Sequence, residues 1–307
     1  MTTTLQRFAT CAGFCLLAAC SAGRDSRAWL NPPDSVQIAG RIIDTRSGNP
    51  ISQDELMQRA IAARFVILGE VHDNPAHHLL QNEIVAAMLG AGRRPALAME
   101  QFDHENQPSL DAARVRGERD PERLADAGRL DRKGWRWPDY KPLVELAAAN
   151  DLPLVAANLS REDARALMNS GLPAQDLPAV SPAQREALEE DIIEGHCGIR
   201  PAAAILSGMV EAQRARDARM AQTLERAGEP GAVLIAGAGH ARRDRGVPSY
   251  LPPALQEKLL SIGLVEVAPD GTAPRPRYAA TYDFVWFTPR ATRDDPCRNL
   301  ALPLGKG

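Results

Sequence analysis

Short apolar runs alternate with amphipathic stretches along most of the chain. Phe65-Val66-Ile67-Leu68, residues 96–99, residues 152–156 and Val233-Leu234-Ile235-Ala236 are continuous apolar segments bounded by glycine, proline or polar residues. That pattern predicts short strands buried on both faces. An earlier strand is predicted over 36–44, bent at Gly40, and later ones over 265–267 and 281–288. The intervening stretches have helical character. Ser52-Gln53-Asp54-Glu55 has capping-box spacing and starts a helix toward Ala63. Asn74 is placed to cap a second helix with Pro75 in its first turn, and Leu80, Ile84 and Met88 recur every four residues on it. Further helices are predicted over 138–150, 161–169, 182–193, 202–227 and 253–262. Strands alternating with helices predict an α/β fold, a mostly parallel, mixed sheet flanked by helices. The short link between the last two strands suggests that they run antiparallel.

Residues 36–102, 151–160 and 228–290 are read as the sheet domain. Residues 103–150 and 161–227 are helix-rich excursions, expected to pack together as a smaller helical domain, and 291–307 form a C-terminal tail. Ahead of the sheet, Arg7 precedes an apolar stretch of about a dozen residues, too short for a membrane span of about 20. It suits a signal peptide over 1–19. Leu17-Ala18-Ala19-Cys20 resembles a bacterial lipobox, which makes Cys20 the expected lipidated (palmitate-bearing) first residue of the mature chain. Residues 20–35 read as a polar tether. Ser21 follows the cysteine, and by analogy with enterobacterial sorting this expects an outer-membrane anchor facing the periplasm. Cys11 and Cys15 would leave with the leader. Cys197 and Cys297 remain, either as a disulfide or as free buried thiols.

The chain has 307 residues, 44% of them hydrophobic, with a formal net charge of -3. This excludes a disordered chain and gives no general attraction to nucleic acid, so none is expected as a partner. In open α/β sheets ligands bind beyond the carboxyl ends of the strands. Four such ends carry polar residues: Glu70 with His72, Glu100 with Gln101, Asn158, and His240. Two carboxylates and two imidazoles there suit a divalent metal or acid–base chemistry, or else a hydrogen-bonded network that fixes the loops. Of the adjacent His77 and His78, at most one is expected to face that site. Gly237-Ala238-Gly239-His240 is no dinucleotide loop, because Arg242 stands where the third glycine belongs.

The least ordinary local composition is Asp131-Arg132-Lys133-Gly134-Trp135-Arg136-Trp137-Pro138-Asp139-Tyr140-Lys141. Its tryptophans either anchor the helix that Pro138 begins or, with the surrounding cations, offer a surface for a planar anion. Haem is one such ligand: its ring stacks on aromatics, its propionates pair with Lys or Arg, and tyrosinate is a known iron ligand. A cation such as Lys141 beside Tyr140 would favour the phenolate.

Four blocks carry a wider resemblance. LGEVHDNPAHHLLQNEIV (68–85), WPDYKPLVELAAANDLPLVAANLSRE (137–162), HCG (196–198) with MVEAQRARDARMA (209–221), and AGAGHARRDRGVPSYL (236–251) together resemble the ChaN-like haem-binding lipoproteins. GExH and GxxH alone are shared with the wider TraB, Tiki and erythromycin-esterase superfamily. The resemblance implies haem as cofactor, bound as two cofacial haems in a homodimer. A tyrosine of one subunit would hold iron, and a histidine and a lysine of the other would meet the propionates. It places these roles on Tyr140, with Tyr250 in reserve; on Lys141, with Lys133 close; and on His196, with His72 and His240 behind it. The function implied is haem or iron handling in the cell envelope, by a protein that is not an enzyme. The alternative is a metal-dependent hydrolase using Glu70, His72, Glu100 and His240.

Overall fold

The computed structural model describes residues 38–170, 177–268, 270, 281–294 and 297. The expected signal peptide, Cys20 and the tether lie outside these residues. The elements in chain order are β1 (Ile42–Asp44), β2 (Pro50–Ile51), α1 (Gln53–Ala62), β3 (Phe65–Glu70), α2 (Pro75–Gly90), β4 (Ala96–Asp103), α3 (Gln107–Val115), α4 (Pro121–Ala127), α5 (Trp137–Ala149), β5 (Leu154–Asn158), α6 (Arg161–Ser170), α7 (Pro182–Gly195), α8 (Ala203–Arg226), β6 (Ala232–Gly237), α9 (Pro253–Gln256), β7 (Leu259–Glu266) and β8 (Phe284–Thr288). They build one mixed sheet, in the order β2-β1-β8-β7-β3-β6-β4-β5. The six strands from β8 to β5 are mutually parallel, and β1 and β2 add an antiparallel edge. Among the described residues no helix is long and apolar enough to cross a membrane.

The helix starts follow the cap chemistry of the sequence. The Ser52 side chain accepts from the Glu55 amide and the Asn74 side chain from the Ala76 amide. Each satisfies an amide that the helix itself leaves unpaired.

Three expectations need correction. The last two strands, β7 and β8, pair in parallel rather than antiparallel. The stretch expected to be helical over 253–262 is helical only in α9, and β7 begins at Leu259. Leu259, Leu260 and Ile262 are buried in a strand flanked by β3 and β8, and a short apolar run of that kind has no period to separate strand from helix. The two helical excursions also join different cores. Leu110, Leu124 and Leu143 of α3, α4 and α5 pack with α1, α2 and one sheet face. Met220, Ala221 and Leu224 of α8 pack on the opposite face with Phe65, Ile67 and Leu234.

Cys197 and Cys297 are joined by a disulfide, with 5.5 Å between their Cα atoms and 100 residues between them in sequence. It ties the end of the described chain to the turn after α7. Closing a loop of that length removes entropy from the unfolded chain, worth about 3–5 kcal/mol. Reduction under native conditions is expected to lower the denaturant-unfolding free energy by about that amount. Cys197→Ser should show the same loss and become insensitive to reductant.

His77 ties the start of α2 to β8. The Val71 amide donates to its Nδ1 (2.9 Å), and its Nε2 donates to Thr288 Oγ1 (2.7 Å). That arrangement needs a neutral ring. Burial holds the imidazole down from 6.5 to about 4, against the pull of Glu70 and Glu266 and with the help of His78 and Arg293. As pH falls below 6.5 the unfolded chain takes up this proton before the folded one does. Stability from His77 is therefore complete above about pH 6.5 and lost toward pH 4. In urea titrations, the stability difference between wild type and His77→Gln should shrink by about 2 kcal/mol on going from pH 7 to pH 5.

Candidate functional site

β3, β6 and β4 are neighbours in the sheet, and their carboxyl ends form one edge. Glu70 is level with Gly237, and Met99, just before Glu100, is level with Ile235. Side chains alternate faces along a strand. Glu70 shares the parity of Val66 and Leu68, whose face packs against α2 and α5. Glu100 shares that of Ala96 and Ala98, whose face packs against α8. Each face of the sheet therefore receives one carboxylate at its rim, and both are buried.

On the first face Glu70 is the centre of a network. Its Oε1 accepts from the Tyr140 hydroxyl and from His72 Nδ1 at 2.9 Å. Its Oε2 accepts from Gln81 Nε2 at 2.6 Å, with His78 Nδ1 at 3.3 Å. Gln101 Nε2 approaches Oε1 at 3.4 Å. Burial works against the Glu70 charge, but the hydrogen bonds and positive charge of His72 and His78 prevail and hold its pKa at about 2. His78 Nε2 also lies 3.1 Å from the His72 carbonyl, so both of its nitrogens face acceptors, and although burial works against the charge, Glu70 raises its pKa.

On the second face Glu100 accepts from the Gly237 amide at 2.7 Å and pairs with His240 Nε2 at 3.4 Å. The other nitrogen of His240 donates to Asp217 of α8 at 2.7 Å. Burial alone would neutralise His240, but the two flanking carboxylates raise it to about 10. Breaking such a buried pair from one side costs about 3–5 kcal/mol.

The two networks meet at His72. Its ring stands over Gly237, where an added Cβ would lie 2.9 Å from Nε2. Glu100 and Glu70 together outweigh the burial that would depress it, so its pKa is raised. Its side chain keeps 45% of its exposure and packs edge-on against Trp135, with ring centroids 5.0 Å apart. Gly69 does a related job below: a Cβ there would meet the Ala241 Cβ at 2.6 Å, so its absence lets the His240 loop lie on β3.

The structure thus brings Glu70, His72, Glu100 and His240 to one rim and adds Gln81, His78, Tyr140 and Asp217. Asp217 and Gln81, which lie at no strand end, are marked in the sequence only by a helical period. Asp217 falls on the buried stripe Leu206, Val210, Ala221 and Leu224 of α8, and Gln81 on that of Ile84 and Met88 of α2. Of the adjacent histidines only His78 faces the site.

The residues assigned to haem are not brought together. Tyr140 has no exposed surface, and its hydroxyl is committed to Glu70. Burial and the Glu70 charge push its pKa far up, the reverse of the phenolate expected from Lys141. Lys141 instead pairs with Glu122 at 3.1 Å, beside Trp137, whose indole N–H donates to the same carboxylate. Lys133 and His196 are exposed, the latter at the end of α7. Tyr250 is half-buried and packs against the α8-side core.

A sequence model of the family described as haem-binding uptake, Tiki superfamily, ChaN, matches residues 56–251. Among solved structures, ChaN of Campylobacter jejuni, described for its cofacial haem binding, is similar with a TM-score of 0.68 at 24% identity, covering 80% of this chain and 95% of that one. The type III effector HopBA1 has a TM-score of 0.44 at 16% identity, covering 85% of this chain and 100% of its own. An erythromycin esterase mutant in its open conformation has a TM-score of 0.42 at 13% identity, covering 70% and 73%. No curated protein matches the chain significantly. The family match spans more than half of the sequence and includes both rim carboxylates, Tyr140, His196 and His240: the chain belongs to the ChaN family of haem-binding uptake proteins within the Tiki superfamily.

Proposed function

We propose that the chain is a haem-binding lipoprotein of the cell envelope, anchored in the outer membrane through Cys20 and working in haem or iron uptake as a dimer with two haems face to face. The observation that carries this reading is the family match over residues 56–251. The cofacial haem of the similar Campylobacter protein supports the dimer. A porphyrin laid on one surface leaves its other apolar face in water, and stacking two such faces buries both at about 25 cal/mol per Å².

Haem needs a donor atom it can reach, an apolar surface and cations for its propionates. The phenol of Tyr140 meets iron only if it leaves Glu70 and α5 parts from the sheet, so we move the haem contact away from Tyr140 and Lys141. Tyr250 is no better prepared, since burial and the nearby Asp217 push its pKa to about 12. The surface around His196 fits better. Ile199, between α7 and α8, and Ile205, in the first turn of α8, are 50% and 56% exposed, with Arg200 beside Ile199 and the exposed His196 ahead of them. His196 Nδ1 donates to the Ile192 carbonyl at 2.6 Å, which sets the ring's orientation. Bound there, haem would supply a redox-active iron centre, with His196 and the Ile199 and Ile205 side chains to hold the ring and Arg200 to meet a propionate.

A second reading, a hydrolase at the strand-end rim, is favoured by one observation: Glu70 orients His72, whose ring reaches the surface. Its metal-dependent form gains nothing from the ligand geometry. Among the described residues no group of three His, Cys, Asp or Glu is arranged to hold a metal ion.

Hemin titration of the mature protein, with mass followed by analytical ultracentrifugation, tests the first reading. A Soret band should develop together with a dimer. It should persist in Tyr140→Phe and weaken at least tenfold in affinity in His196→Ala. Loss of the band in a folded Tyr140→Phe variant would return the iron to that phenol. A colourless monomer with excess hemin would end the haem reading altogether.

A further inference from the structure

Beside the rim lies a pocket of about 400 Å³ that neither network fills. That volume is at the small end of sites for organic ligands. Gln101 and Trp135 form one wall. Gln101 is 3% exposed and sits on β4 where the pairing with β5 shifts register, between Met99 and Asp103. Its amide nitrogen is turned to the Glu70 carboxylate. Flipping the amide would set its oxygen against that carboxylate, so the orientation is fixed. Its Oε1 is buried without a hydrogen-bond partner. A buried acceptor left so carries an unrepaid desolvation cost, which a ligand donor would recover.

The charge around the pocket says what else such a ligand carries. Arg129, Arg161 and Arg216 line it against Asp103 and Asp131, which leaves one positive charge over. Arg161 is spent on Asp131 at 2.7 Å, and Arg216 donates to Asn158 Oδ1 at 2.8 Å. Arg129 is exposed and has no ion pair among the described residues. One uncompensated guanidinium suits a carboxylate, whose two oxygens match its fork, better than a doubly charged phosphate. Trp135 adds an apolar wall for an aromatic or aliphatic group.

We propose that this pocket binds a small monocarboxylate that also presents an N–H or O–H donor, the carboxylate to Arg129 and the donor to Gln101 Oε1. The site is separate from the His196 surface, and haem binding there neither requires it nor follows from it.

Hippurate is a suitable probe, since it joins a carboxylate, an amide N–H and a phenyl ring. Calorimetry with the mature protein should detect hippurate binding at millimolar concentration or below. Its methyl ester, without the charge, should not bind. Gln101→Leu should weaken hippurate about tenfold yet leave benzoate, which lacks the N–H, unchanged. Arg129→Gln, at an exposed position, should weaken both about tenfold. The same titration with saturating hemin identifies the source of the carboxylate. Unchanged affinity assigns the site to a free small molecule, and competitive displacement assigns the same chemistry to a haem propionate. No binding by wild type, or wild-type affinity for hippurate in both variants, overturns the proposal. Because hemin binding is read at the Soret band, either proposal can fail alone.

Discussion

Two carboxylates withdrawn from water at the end of a parallel sheet set the terms for the rest of the molecule. An isolated buried carboxylate is too costly to remain charged, so Glu70 and Glu100 each need a cation or several donors within bonding distance. Those donors come from every neighbouring element. α2 supplies His78 and Gln81, α5 supplies Tyr140, and the loop after β6 supplies His240, itself held by Asp217 of α8. The glycines are part of the same requirement. A side chain at Gly237 would displace His72, and one at Gly69 would displace the loop that carries His240. The helices are thus located on the two sheet faces by apolar burial and held in register at the rim by charge.

That network also separates two kinds of chemistry. Its members are saturated by one another, which suits an oriented, dry site and does not suit axial ligation of a porphyrin. Tyr140 illustrates the point. In sequence its neighbours are tryptophans and basic residues, the setting of a tyrosinate. In space its oxygen meets a carboxylate, which opposes ionisation. Adjacent positions on a helix point about 100° apart. Lys141 therefore follows Trp137, four residues back, to Glu122 and not Tyr140 to Glu70.

Much of the fold was legible because its signals are local. The apolar runs of β3 and β6, the Ser52 and Asn74 caps and the long α8 are each specified by a few adjacent residues. The first half of β7 was not legible, because Leu259 to Ile262 carries no period and follows a proline that starts a helix one turn long. The direction of β8 depends on which strand it pairs with, a long-range fact. At the site, the rim placement of Glu70, His72, Glu100 and His240 followed from strand ends alone. Asp217 did not, since a single acid amid the arginines of α8 looks solvated until the helical period is followed to its buried stripe.

Stability alone gives little reason for the rim to be built of charge. Replacing a buried ion-paired group by apolar residues of similar volume is often neutral or stabilising, by about 1–4 kcal/mol. Here Glu70 and Glu100, at the ends of the strands on either side of β6, are kept charged inside the core with Asp217 buried behind His240, and next to them a glutamine oxygen has no partner among the described residues. The exposed surface of residues 196–205 asks for none of this, because those residues are not part of the rim. Local choices that oppose stability concentrate where a protein does work. The rim and its adjoining pocket therefore hold more buried polarity than packing the two sheet faces alone requires.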